Sequence, residues 1–241
     1  MTARHLIVNA DDFGLSHGVN LGIVQAHERG ILTSASLMVR WPAATDAAQY
    51  ALTHPELSVG LHLDLAEWIY RDREWIPKYE VVPVDDKKKV AAELKAQLEA
   101  LRRLLGRNPT HLDSHQHVHR QEPVLSILRE AAASLSIPLR SFTPEVQYCG
   151  DFYGQTGEGE PYPEGISVDA LLKVLSNLPP GITELGCHPG DDLSLDSVYR
   201  LERKEEVHVL CDARVRAALT DLNIRLCSFA EIRNLNVTPS R

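Results

Sequence analysis

The stretch HLDSHQHVHR, residues 111–120, carries four of the chain's eleven histidines, with His115, His117 and His119 at alternate positions behind Asp113 and Ser114. Imidazole serves as a metal ligand, as a proton carrier near neutral pH, or as a packed ring. A second stretch, NADDFG at 9–14, sets Asp11 and Asp12 side by side. Adjacent carboxylates can divide labour, one holding a divalent metal while the other takes a proton from water. A metal bound by two imidazoles and one carboxylate keeps positions open for water and a substrate oxygen, which catalysis needs and a closed structural site lacks. Such donors suit zinc, iron, cobalt, nickel or manganese better than magnesium on affinity alone.

Each of these residues also has a plainer use. ADDFG makes an Asx-type turn after a strand. His62 by itself reads as a packed histidine. At most two of the HQHVH imidazoles can reach one ion, and the others are expected to hold their neighbours from behind. His27, His54 and His208 fall in helix or loop contexts with no assigned role, and Asp191 and Asp192 read as solvated loop. The choice between these uses depends on which elements carry the residues.

Short β-type runs alternate with helical patterns along the chain. HLIVNA (5–10) reads as a buried strand ending at Asp11, and Ser16 caps a helix through Arg29 that Gly30 stops. TSASLMV (33–39), LSVGLHLDL (57–65), THLDS (110–114), IPLRSF (137–142), ITELGCH (182–188) and IRLCSF (224–229) supply six further strands. Val90, Leu94, Leu98, Leu101 and Leu105 recur at three- and four-residue spacing, an amphipathic helix. Other helices fill 43–53, 122–135, 167–178 and a stretch near 205–221, with a short one at the end. The aromatic and proline-containing stretches 66–84 and 144–166 read as long loops. Strands joined by helix-length crossovers run parallel under covered faces. Seven such units predict an α/β fold: a single-domain distorted (β/α) TIM-like barrel over 1–241, with about seven parallel strands.

Composition narrows the function classes. Hydrophobic residues at 44% and charged residues at 24% suit a soluble globular protein. A net charge of −8 lacks the basic footprint a nucleic-acid partner needs, and DDKKK at 85–89 reads as a solvated helix start. No apolar run approaches the roughly 20 residues of a membrane span. Cys149, Cys187, Cys211 and Cys227 form no C-x-x-C pair, and MTARHLIVNADDFG is too short for a secretory core. The expectation is a cytoplasmic protein in a reducing compartment.

In parallel α/β folds the loops at the carboxyl ends of the strands converge on one mouth. There the sequence puts Asp11 and Asp12 after the first strand and His62 and Asp64 on the third. Asp113, His115, His117 and His119 follow on the fourth, Arg140 on the fifth, and Glu184 and His188 on the sixth. Chance placement would scatter acids and imidazoles over both ends.

Four blocks in this order, LIVNADDFGLSHGVNLGIVQAHERGILTSASLMV, VGLHLDL, RNPTHLDSHQHVH and ELGCHPG, resemble the YdjC/ChbG family of carbohydrate deacetylases, over residues 5–140 and again over 182–190. The resemblance implies a distorted TIM-like barrel, one divalent metal ion (zinc, magnesium or another transition metal), removal of acetate from an N-acetylated sugar, and a homodimer. By position it implies Asp12, His62 and His115 as metal ligands and Asp11 as general base. Placement in the related polysaccharide deacetylases implies Arg140 as the residue that orients the base, and His188, protonated, as the acid for the departing nitrogen. The spacing from His115 to His119 also matches the two-histidine motif of those relatives, which makes His119 an alternative to His62; His117 is expected behind the ligands. Trp68, Trp75, Tyr148, Tyr153 and Tyr162 of the two long loops would stack on sugar rings. The partners implied are an N-acetylated sugar or oligosaccharide, with no nucleic acid and no membrane.

Two other readings compete. A metal-dependent barrel hydrolase of phosphoesters or cyclic amides would use the same acids and imidazoles, although a phosphoesterase favours two metals and more basic residues. A non-catalytic sugar- or metal-binding module needs neither a base at Asp11 nor an acid at His188.

Overall fold

Strand β1 (Arg4–Phe13) is buried along its whole length from Leu6, so it needs neighbours on both edges. It pairs in parallel with β8 (Gly181–Cys187) over Arg4–Ala10, with β2 (Ser34–Leu37) from Asn9, and with β9 (Ile224–Leu226) at Arg4–Leu6. The sheet continues through β3 (Ser58–Leu63) to β6 (Leu112–Ser114) on one side and to β7 (Val146–Cys149) on the other. All seven strands run parallel, and the sheet curls into a half-barrel. The computed structural model describes residues 3–71, 73–192 and 194–234, so the extreme ends of the expected 1–241 domain lie outside the described residues.

The helices are α1 (His17–Arg29), α2 (Ala44–Thr53), α3 (Lys87–Leu105), α4 (Val124–Leu135), α5 (Val168–Ser176), α6 (Arg200–Leu210) and α7 (Ala213–Asp221). Local signals set their ends. The Ser16 hydroxyl accepts the Val19 amide, and the Ser167 hydroxyl accepts the Ala170 amide. Asp86 takes the Lys88 and Lys89 amides, and Gly106 closes α3 in the left-handed conformation. The apolar stripe of α3 is buried from Val90 to Leu105, which fixes this helix on the sheet.

Four expectations differ from the structure. Residues 66–84 hold an antiparallel hairpin, β4 (Ala66–Arg71) and β5 (Glu74–Glu80), rather than a loop. The segment 137–142 is no strand; it touches β6 through one isolated bridge, Leu112 to Leu139, and turns away where Ser141 takes φ +65°. The seventh parallel strand is β7, inside the glycine- and proline-rich stretch read as loop. The helical stretch near 205–221 is two helices, parted where Asp212 caps α7 through the Arg214 amide.

Candidate active site

The site forms because β1 breaks its own alternation. In a regular strand Asp11 and Asp12 would face opposite sides of the sheet. The register with β2 shifts between Ala10 and Phe13, and Asp12 adopts φ +66°, a left-handed conformation that aspartate tolerates better than most residues. Both carboxylates therefore reach the same mouth, and the turn after them is held by the Gly14 amide on Asn20 Oδ1 at 2.7 Å.

Asp11 and Asp12 have different surroundings. Arg140, itself buried, grips Asp11 with both terminal nitrogens at 2.7 Å. The same guanidinium reaches Asp113 at 2.9 Å and Glu184 at 2.7 Å. Burial opposes the charge on Asp11, but Arg140 and His62 outweigh it and leave its pKa below the usual value. Three carboxylates share one cation. Burial pushes Glu184 up to about 7, so it is the one of the three that holds a proton near neutral pH.

Asp12 faces imidazoles instead. Its Oδ1 lies 3.1 Å from His115 Nδ1 and 3.4 Å from His62 Nε2. His62 Nδ1 meets Asp113 Oδ1 at 2.8 Å, which fixes the ring and aims Nε2 at Asp12. Burial disfavours charge on His62, yet Asp113 and Asp11 hold its pKa well above 6.5. Asp12, His62 and His115 offer one ligand atom each within 4.8 Å of one another. Among the described residues the buried Nε2 of His115 has no hydrogen-bond partner, so the donor set fits a cation in both geometry and chemistry. A second group, Asp11, His62 and Asp113, also converges, but Arg140 already lies against both of its carboxylates.

His188 follows β8 on a loop pressed against α1: a Cβ on Gly22 would sit 2.4 Å from Gly190 Cα. Its Nε2 is 3.8 Å from Asp11 Oδ2. Burial pushes its pKa down to about 4, which favours the neutral imidazole over the protonated one. His117 and His119 stand apart from the ligand cluster. His119 Nδ1 bonds the Ser114 hydroxyl at 2.7 Å, and burial lowers His119 to about 4 and His117 to about 3. Gln116 and His117 both have left-handed backbone, φ +48° and +55°, and the Gln116 amide binds the amide and carbonyl of Trp68 at 2.8 Å each. The bend thus ties the β4–β5 hairpin to the site.

A cleft of about 970 Å³ opens over these groups, lined by Asp11, Asp12, His62, His115, His188 and Arg203 below and by Trp68, Trp75, Tyr148 and Tyr153 at the rim. Tyr162, also expected at sugar rings, is exposed but does not line it. Residues missed from sequence come from α6. Arg203 donates to Asp12 Oδ2 at 2.5 Å. Glu206 accepts the His188 backbone amide and the Tyr199 hydroxyl, and burial pushes it up to about 8. Arg203 stands in phase with Val207 and Leu210 of the buried stripe. That phase was the available signal, since a charge on the apolar face of a helix must have a buried partner.

A parallel half-barrel with paired acids and converging imidazoles at the strand ends has the donor types that barrel hydrolases working with a bound cation use. The fold matches a crystal structure from Enterococcus faecalis, for which cellobiose-phosphate cleavage has been suggested, with TM-score 0.74 and 24% identity over 96% of this chain and 99% of that one. The family model of YdjC-like proteins matches residues 5–221, and the chain belongs to that family. A carbohydrate deacetylase of Geobacillus stearothermophilus is 34% identical over 96% of this chain and 99% of its own. A chitooligosaccharide deacetylase of Salmonella paratyphi B is likewise 34% identical, over 95% and 99%.

Proposed function

We propose that the protein is a metal-dependent carbohydrate deacetylase, a hydrolase that removes acetate from an N-acetylated sugar or oligosaccharide. The observation that carries this reading is the convergence of Asp12, His62 and His115 at the base of an open cleft, with Asp11 and His188 beside them. The family relatives named for carbohydrate and chitooligosaccharide deacetylation support the substrate class.

Asp12 Oδ1, His62 Nε2 and His115 would hold one divalent ion, zinc, magnesium or another transition metal, in place of the proton His62 otherwise carries. A cation held there would supply Lewis acidity, polarising an amide carbonyl and acidifying water. Asp11, kept ionised by Arg140, accepts a proton from the attacking water. Arg140 locks that carboxylate in one orientation, leaving Oδ2 turned towards His188. The leaving nitrogen departs only when protonated. His188 rests neutral, so its proton arrives during turnover from Asp11, 3.8 Å away. Glu206 and Arg203 hold the His188 backbone from both sides, at the amide and the carbonyl.

The phosphoesterase alternative is disfavoured by one contact: a second metal would have to displace Arg140 from Asp11 and Asp113. The reading is completed by a single domain, a homodimer measurable by light scattering, and a cytoplasmic location. All four cysteines are free thiols, which supports a reducing compartment, and among the described residues no helix is long and apolar enough to cross a membrane. The test is acetate release from chitooligosaccharides and other N-acetyl sugars, with and without a chelator. Chelator-sensitive release is expected. His188→Ala should slow the amide far more than an activated acetyl ester, whose phenolate leaves unaided. Phosphoester cleavage with no acetate release from any sugar would refute the assignment.

A further inference from the structure

Helix α6 sets a permanent positive charge against a residue that faces a cation site. Arg203 is 3% exposed. Its Nη2 donates to Asp12 Oδ2 at 2.5 Å and its Nη1 to the His188 carbonyl at 3.3 Å. The other oxygen of Asp12, Oδ1, is the one that His115 and His62 approach. The two oxygens thus have separate partners. A carboxylate can hold a cation through one oxygen or through both, and Arg203 removes Oδ2 from that choice. An arginine also stays charged at every relevant pH, so it repels the ion whose ligand it grips.

We propose that Arg203 is a positioning residue that fixes Asp12 as a one-oxygen ligand, weakening ion binding while keeping a coordination position open for water and the amide oxygen. This rests on the reading of Asp12, His62 and His115 as the metal site. It differs in sign from a purely structural role, since loosening the site by disrupting its packing would weaken ion binding.

The experiment compares wild type with Arg203→Met and Arg203→Lys, each shown folded by circular dichroism and stripped of metal by dialysis. Cobalt(II) is titrated in, and affinity, the visible spectrum and steady-state kinetics on an N-acetyl sugar are recorded. Without the guanidinium, R203M should bind cobalt on the order of tenfold more tightly, because a charge close to the ion is gone. Its visible absorption should weaken as Asp12 closes on the ion with both oxygens and the coordination number rises. kcat should fall by about tenfold or more with KM little changed, the mark of an interaction made only in the transition state. R203K keeps a charge and a donor, so its cobalt affinity should stay within about threefold of wild type, with the spectrum preserved. Weaker or unchanged cobalt affinity with an unchanged spectrum in folded R203M overturns the proposal. If R203M does not fold, R203K decides: tightened affinity or an altered spectrum with the charge still present overturns it. A wild-type protein that binds no cobalt removes the metal reading itself, a separate result.

Discussion

The floor and the rim of the cleft are built on opposite plans. On the floor, Asp11, Asp113, Arg140 and Glu184 are all buried, and each polar contact has a partner on a different strand end or loop. The rim is a two-stranded hairpin and the loops that flank the cleft, with Trp75 at 55% exposed, and its side chains meet through ring contacts such as Tyr70 with Trp75 and Tyr153 with Tyr199 rather than through buried ions. A buried ionic network is specific because breaking one member strands the others without solvent. A half-exposed aromatic loses only its own contacts. The proposed chemistry thus falls in the region where residues cannot be changed singly, and the proposed sugar contacts in the region where they can.

The largest effects should follow damage to the floor. Asp11→Asn is expected to lower kcat by roughly 10²–10⁴, the usual worth of a positioned base, while leaving metal content intact. Asp12→Asn should instead abolish metal retention. If a metal titration gives the same result for both, the two carboxylates are not divided as their neighbours suggest. Arg140→Leu should cost about 3–5 kcal/mol of stability, measured by urea unfolding, because three buried carboxylates lose the guanidinium they share. A loss under 1 kcal/mol would mean that the network relaxes, and the contrast with the rim would collapse.

A subtler effect comes from Glu184. Its folded pKa of about 7 stands above the 4.5 of an ordinary glutamate. A raised folded pKa means stability fully present below about pH 4.5 and lost as pH rises through about 7. His111, His117, His119 and His188, whose folded pKa values are lowered by burial to about 3 or about 4, act in the opposite direction, adding stability as pH rises from those values towards about 6.5. The clean measurement is the difference between wild type and Glu184→Gln, which mimics the protonated acid. Between pH 5 and 8 the variant should gain roughly 1–3 kcal/mol relative to wild type. A constant difference across that range would show Glu184 ionised throughout. The smallest effect should come from the rim: Trp75→Ala is expected to raise KM a few-fold, roughly the worth of one stacked aromatic contact, with kcat and the melting temperature unchanged. A drop in kcat would show that the rim shapes the chemistry.

Legibility in the sequence followed the same division. The strands that carry Asp11, His62 and Glu184 are apolar runs with clear stops, and α1 and α3 announce themselves through Ser16, Gly30 and the Val90–Leu105 spacing. The hairpin was missed because Pro77 and the charges around it read as loop, although the residues facing one another, Tyr70 with Trp75 and Ile69 with Ile76, are good strand formers. Arg140 was placed in a strand that does not exist: Pro138 cannot donate to a ladder and Ser141 turns the backbone away. Its position survived because its amide still bonds the Leu112 carbonyl. Arg203 and Glu206 were hidden by the charge of RLERKEEVHVL, where only the phase against Val207 and Leu210 separates buried charges from solvated ones. That Asp11 and Asp12 share a face depends on a single positive φ, which no residue pattern in ADDFG specifies.

The Gln116 amide has one more effect on the hairpin it tethers. β4 pairs with β5 along one edge only, and a strand edge with free amides and carbonyls is a template on which another chain can add. The primary amide of Gln116 accepts from Trp68 N and donates to Trp68 O, as the peptide unit of a neighbouring strand would. One side chain thus blocks the recruiting site at the middle of an edge that carries Trp68, Ile69 and Tyr70. The hairpin can hold these apolar side chains at the cleft with the backbone pairing site at Trp68 already filled.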